Sequence, residues 1–269
     1  MSRQARIWIP DGVYHVTTHG DGDMMIFEGP SEKWRLVDLL ADTVEELDWA
    51  MYAWCIMGNH YHFLLKTPEE NLSEGMHHIN MSYGEWYNKS RGRHGHVFQD
   101  RFFSILITQD SHLLEASRYV VLNPLRVGLV AAPQEWPWSS YGAAVLGAPS
   151  RVPLRDHELM GMFAHEEAES RELYREFVQA GIGLRKPEVL LTGRARRWVE
   201  SVDRAQSEGS QGAAPRKPVP GLTPDMIEIS RVASLHQQGM TLRAIAAALG
   251  ISHMTVQRYL VRGSKETKL

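Results

Sequence analysis

Cysteine is almost missing from this sequence: Cys55 is the only one in 269 residues, so no disulfide can form within a chain. It stands in the apolar run MYAWCIM, where a thiol serves more often as a small buried hydrophobe than as a nucleophile or metal ligand. No run of about 18 apolar residues occurs, as a membrane-spanning helix would need. The N-terminus MSRQARIWIPDGVYHV also lacks the continuous apolar stretch of a secretory signal. A cytoplasmic protein without membrane contact is expected. Excess positive charge is absent too, with 29 Lys and Arg against 32 Asp and Glu. That balance excludes wrapping of duplex DNA by the chain as a whole, because phosphate binding draws on clustered cations. No GxxxxGK[ST] phosphate loop is found, so nucleotide hydrolysis is not part of the expected chemistry.

What is present is ample core material, 43% apolar residues with aromatics throughout, in a chain longer than one average domain. Residues Gly12 to His19 read as a strand, rich in Val, Tyr and Thr. A helix follows, with Ser31 as expected N-cap and Trp34, Val37, Leu40, Val44 and Leu47 at helical spacing. AMYAWCIM and HYHFLLKT flank Gly58-Asn59, a strong hairpin signal. A second helix is predicted over Ser73 to Lys89 and a strand within VFQDRFFSILIT. A third helix is predicted from Asp110 or Ser111 to about Leu122, ended by Pro124. Strand, helix, strand, strand, helix, strand is the split βαβ pattern. The predicted fold is therefore α+β, a ferredoxin-like antiparallel sheet with helices on one face, followed by a C-terminal all-α helix-turn-helix.

Four segments are expected: a catalytic domain over 1–147, a helical extension over 148–206, a linker over 207–222 and a helix-turn-helix over 223–269. The linker concentrates Ser, Gly, Ala and Pro. From Arg216 onward eight basic residues face three acidic ones, a local charge of +5 in a chain of −3. In TLRAIAAALGISHMTVQRYLVRG, Thr241 and Ser252 cap two helices and Gly250 turns between them. His253, Thr255, Gln257 and Arg258 then face a duplex major groove, where Gln reads adenine and Arg reads guanine or phosphate. A small helical bundle for protein contacts is the alternative use of the same pattern.

Two constellations carry possible chemistry. His60 and His62 stand at i and i+2 on a predicted strand, so both imidazoles leave one face of the sheet. Such a pair serves either as metal ligands or as packed, hydrogen-bonded residues. Tyr119 and Asn123, in RYVVLNPLR, share one face of a helix a turn apart. They read either as a phenol and an amide oxygen converging on a site, or as a core tyrosine and a helix C-cap. If the first readings hold together, Mg²⁺ or Mn²⁺ on His60, His62 and the Asn123 oxygen polarises a phosphodiester for attack by Tyr119. Arg91, Arg93 and Arg101, with Phe98, Phe102 and Phe103, offer phosphate and base contacts to a single strand. The alternation in VFQDRFFSILI is equally what a core strand requires. His15, His77, His78, His94 and His96 lack ligand spacing and read as structural or exposed.

The ordered set GVYHVTTHGDGDMMIF, MGNHYHFLL, FQDRFFSILI, SRYVVLNPLRVGLV and EWPWSSY resembles the REP-associated branch of the single-tyrosine HUH transposases over about residues 10 to 147. The resemblance implies a ferredoxin-like catalytic domain with His60 and His62 as the HUH pair, Asn123 as third metal ligand and Tyr119 as nucleophile. It further implies a 5′-phosphotyrosine and a free 3′-OH formed on single-stranded hairpin DNA. Members of that family usually read Arg-Gly-Asn after the first strand, where this chain has His19-Gly20-Asp21. The expected protein is thus a nicking and rejoining transposase, monomeric or homodimeric. Its partners would be single-stranded hairpin DNA and, through the tail, duplex DNA. A non-catalytic DNA-binding regulator and a water-using metal nuclease are the rival readings.

Overall fold

The structure, a computed structural model, describes residues 9, 11–184 and 187. Strand β1 (Gly12–His19) leads into helix α1 (Pro30–Glu46), the hairpin β2 (Ala50–Ile56) and β3 (His60–Thr67), helix α2 (Leu72–Arg91), strand β4 (Phe103–Ile107) and helix α3 (Asp110–Arg126). The strands form one antiparallel sheet in the order β2-β3-β1-β4. This is the ferredoxin-like α+β arrangement. The helix-turn-helix expected over 223–269 lies outside the described residues.

Strand alternation divides the sheet between two cores. Tyr14 and Val16 of β1 and Tyr61, Phe63 and Leu65 of β3 face α1 and α2, packing with Leu36, Leu40, Met76, Ile79 and Tyr83. Leu64 and Ala53 face the other way, onto Leu113, Ala116 and Val120 of α3. The expectation of helices on one face holds for α1 and α2 but not beyond them. α3 covers the opposite face, because β3 is apolar on both sides and each buried Leu or Phe stabilises by roughly 1.5–3 kcal/mol. A bulge between Met51 and Ala53 in β2 inserts Tyr52. It shifts the alternation so that Met51 and Trp54 point to one core, and Tyr52 and Ala53 to the other.

Two helix boundaries differ from expectation. Gly29, not Ser31, caps α1, and its N–H donates to Glu32 Oε2 at 3.1 Å. Pro30 then takes the first helical position, where its missing N–H has no helical acceptor to serve. Pro124 lies inside α3, which runs on to Arg126. Proline's φ is already helical and only one hydrogen bond is forfeited, while Val120 through Pro124 are all buried.

The edge of β2 is covered by the aromatic loop that follows α3. Ile56 N–H donates to Trp138 O at 2.8 Å, Trp136 Nε1–H to Ile56 O at 3.0 Å and Ser140 N–H to Trp54 O at 2.9 Å. An edge paired in this way offers no open ladder to another chain. Three further helices, α4 (Tyr141–Leu146), α5 (His157–Met160) and α6 (Glu167–Ala180), complete the described residues. Tyr174, Phe177 and Val178 of α6 join the core under α3. Among the described residues no helix is long and apolar enough to cross a membrane.

Candidate active site

The pairing of β1 with β3 sets His19 opposite His60 and Thr17 opposite His62. Because successive side chains alternate, His15 and His19 of β1 emerge on the same face as His60 and His62, the face covered by α3. All four imidazoles are buried, none more than 3% exposed. The rings of His60 and His62 lie 4.9 Å apart at 86°. Tyr119, reaching down from α3, packs edge-on against His62 at 5.4 Å and His15 at 6.0 Å. One turn further along the helix, buried Asn123 donates from Nδ2 to the Tyr119 carbonyl at 3.0 Å. That bond fixes which end of the amide is nitrogen.

The strand hairpin thus gathers His60 and His62, and the helix brings Tyr119 against His62. The surrounding hydrogen bonds were not legible in sequence. His15 Nε2 and His62 Nδ1 are 3.1 Å apart, with the rings stacked at 5.2 Å. His19 Nδ1 lies 2.8 Å from Gly20 O, His19 Nε2 lies 2.8 Å from Asn59 Nδ2, and Asn59 Oδ1 lies 2.8 Å from His60 Nδ1. Reading His15 as merely structural therefore missed its contact with the site. The signal was period-two spacing: His15 and His19 are four residues apart on one strand and must share a face. The other histidines of that group, His77, His78, His94 and His96, are exposed. Another residue missed in sequence is Arg126, whose guanidinium lies 5.4 Å from the centre of the Tyr119 ring. It sets a fixed positive charge beside the phenol.

Residues 11–123, the stretch that holds every one of these strands and both Tyr119 and Asn123, match the family model described as "Transposase IS200 like". This stretch is similar to IS200-like transposase domains. A Haemophilus influenzae protein described as a REP-associated tyrosine transposase is 28% identical over 110 residues, 37% of this chain and 62% of that protein. The chain therefore matches under two thirds of that relative's length. A solved structure of a REP-associated tyrosine transposase bound to a REP hairpin has a TM-score of 0.47 and 19% identity, covering 58% of this chain and 93% of that one. Residues 226–262 match a second family model, "Homeodomain-like domain".

Within the matched stretch the expected DNA contacts separate. Arg91, at the end of α2, bonds Glu32 at 2.7 Å and lies 3.2 Å from Glu28, so its charge is largely met locally. Arg93 sits with its guanidinium 5.9 Å from the Tyr87 ring centre. Arg101 is exposed. Phe102 is buried in the core, and Phe98 packs on Tyr61 and Tyr83, so packing occupies both rings. His253, Thr255, Gln257 and Arg258 lie outside the described residues.

Proposed function

We propose that this chain nicks single-stranded DNA at hairpin-forming, REP-like sequences and transfers the strand through a 5′-phosphotyrosine on Tyr119. The observation that carries the reading is the contact of the Tyr119 ring with His62, whose own ring neighbour is His60, on the α3 face of a stretch similar to IS200-like transposases. Among the described residues no group of three or more His, Cys, Asp and Glu could hold a metal ion. The Asn123 amide oxygen would be the third protein ligand beside His60 and His62. Two imidazoles and an amide suit a divalent cation and leave its charge uncompensated for an anionic substrate. When bound, Mg²⁺ or Mn²⁺ would supply Lewis-acid polarisation of the scissile phosphate.

The chain's own residues do the rest. The Tyr119 hydroxyl oxygen attacks phosphorus, the bond to the 3′ oxygen breaks, and the phenol's proton is balanced by the one gained at the 3′-OH. The phosphotyrosine keeps the bond energy, so a 3′-OH can reverse the step without nucleotide hydrolysis. Arg126 adds positive charge beside the ring. Tyr119 is only 2% exposed. Exposed Arg101 and the less engaged Arg93 would follow the strand's backbone, and Arg91 would join them only by leaving its glutamates. The domain boundaries proposed are 1–147 for catalysis, 148–206 for the helical extension and 207–222 for the linker. Residues 223–269 would hold duplex DNA through His253, Thr255, Gln257 and Arg258. Such an enzyme works where the DNA is, in the cytoplasm.

The test uses a hairpin oligonucleotide labelled on the 3′ side of the nick, with Mn²⁺. The wild type should become covalently labelled, and the adduct should map to Tyr119 by mass spectrometry. Tyr119→Phe retains the ring and its packing and should fold and bind the hairpin without forming the adduct. His60→Ala and His62→Ala should lose metal-dependent cleavage. Nicking by Tyr119→Phe at the wild-type rate would establish water as the nucleophile. Hairpin binding without any cleavage by the wild type would establish a regulator.

A further inference from the structure

The hydrogen bonds at the end of the β1–β3 ladder form a chain whose polarity can be worked out from one end. Gly20 O is a carbonyl and only accepts, so His19 Nδ1, at 2.8 Å, must carry a proton and donate to it. In a neutral imidazole the other nitrogen is then an acceptor, which suits the Asn59 Nδ2 donor placed 2.8 Å from His19 Nε2. With its amide nitrogen turned to His19, Asn59 presents its oxygen to His60 Nδ1 at 2.8 Å. That oxygen also only accepts, so His60 Nδ1 donates. The proton of the His60 ring is thereby assigned to Nδ1, and Nε2 is the nitrogen with the lone pair. With both rings neutral, no other pair of tautomers satisfies all three contacts.

We infer that His19 and Asn59 are positioning residues that hold His60 in the Nδ1–H tautomer, with Nε2 directed to a divalent cation. The inference rests on the metal reading proposed above and names residues that reading does not use. A metal-ligating histidine needs its second nitrogen anchored to set both ring orientation and tautomer, and removing such an anchor weakens metal affinity about 10- to 100-fold. The anchor here is an amide that could flip if left alone, and His19 removes that freedom.

The backbone is arranged to keep the relay in place. Gly20 N–H donates to Asn59 O at 2.7 Å, tying the loop after β1 to the hairpin turn. A Cβ at Gly20 would collide with the Met24 carbonyl oxygen, so the loop that supplies the terminal acceptor tolerates no side chain there. His19 faces His60 directly across the ladder, with the rings 5.9 Å apart. The departure from the Arg-Gly-Asn expected after the first strand thus puts at position 19 a group that both donates and accepts. Arginine, which only donates, could not accept from Asn59.

Two measurements on the full chain test this. The first is ¹⁵N nuclear magnetic resonance of the histidine side chains without metal, at about two pH units above the ordinary imidazole pKa. His60 should appear as the Nδ1–H tautomer in the wild type and as a mixture in His19→Phe and Asn59→Ala. The second is Mn²⁺ binding by calorimetry, where both variants should lose about 10-fold or more in affinity with folding unchanged by circular dichroism. His60 protonated on Nε2 in the wild type overturns the relay. Equal Mn²⁺ affinity in wild type and variants also overturns it, whatever the change in thermal stability. Should Asn59→Ala not fold, His19→Phe and the wild-type spectrum decide the matter alone. A wild type that binds no Mn²⁺ while showing the Nδ1–H tautomer sinks the metal reading and the positioning role together, whereas bound Mn²⁺ with unaffected variants sinks only the relay.

Discussion

Gly75 illustrates how the core governs what a single residue is worth. It lies in the first turns of α2, where alanine would ordinarily stabilise a helix by about 1 kcal/mol over glycine. A Cβ there would stand 2.5 Å from two atoms of the Trp49 ring and 2.6 Å from Leu47 Cδ1. Trp49 cannot easily yield, being fully buried with its Nε1–H donating to Asn71 Oδ1 at 2.7 Å. Overpacking of this kind costs about 1–3 kcal/mol, so the clash outweighs the propensity. Gly75→Ala should lower stability in urea unfolding by about 1 kcal/mol or slightly more, and a stabilised variant would mean that Trp49 has room to move. The same non-local character explains why His15 was not legible as part of the site. Its partner His62 is 47 positions away, and only the register of β1 on β3 brings them together. His60 and His62 were legible because two positions suffice to define a strand face, and Tyr119 with Asn123 because four define a helix face.

Elements were legible to the extent that their signals are local. β1, the β2–β3 hairpin and α2 follow from alternation, the Gly58-Asn59 turn and helical periodicity. Periodicity says that a helix buries a stripe, but not which side of a sheet receives it, so the face taken by α3 was not legible. The position of α5 is likewise set by a tertiary contact. Glu158 accepts from Tyr52 Oη on β2 and from Lys66 Nζ on β3 at 2.9 Å, pinning the helical extension to the sheet. The Tyr52 hydrogen bond, then that of Lys66, lowers the Glu158 carboxyl below its ordinary value of 4.5. A depressed folded-state pKa stabilises above the unfolded value, and that contribution disappears as pH falls through the folded one. Glu158 is about two-fifths exposed, so solvent screening keeps the effect to about 1 kcal/mol or less. Glu158→Gln should therefore melt below the wild type at pH 7, with the gap closing as pH drops below 4.5. A gap that stays constant across that range would assign the contact to packing.

At the scale of the whole molecule, the basic stretch and the second family match fall in the same part of the chain. The IS200-like match ends at residue 123 and the homeodomain-like match spans 226–262, while the stretch from Arg216 carries +5 in a chain of −3. The acidic remainder has little long-range attraction for a polyanion, so the tail is the source of duplex affinity in the proposed enzyme. Each phosphate contact made by a Lys or Arg contributes about 0.9 to the slope of log affinity against log salt on duplex DNA. A chain ending near Gly209 should consequently bind duplex DNA more weakly and with a flatter salt dependence. Formation of the Tyr119 adduct on a single-stranded hairpin at saturating oligonucleotide should remain near the wild-type rate, since every residue placed at the site precedes Val127. Fluorescence anisotropy over a salt series measures the first effect and single-turnover labelling the second. If truncation leaves the salt slope unchanged, the phosphate contacts belong to the catalytic domain. If it abolishes folding of that domain, the boundary at 207–222 is misplaced and the two parts form one cooperative unit.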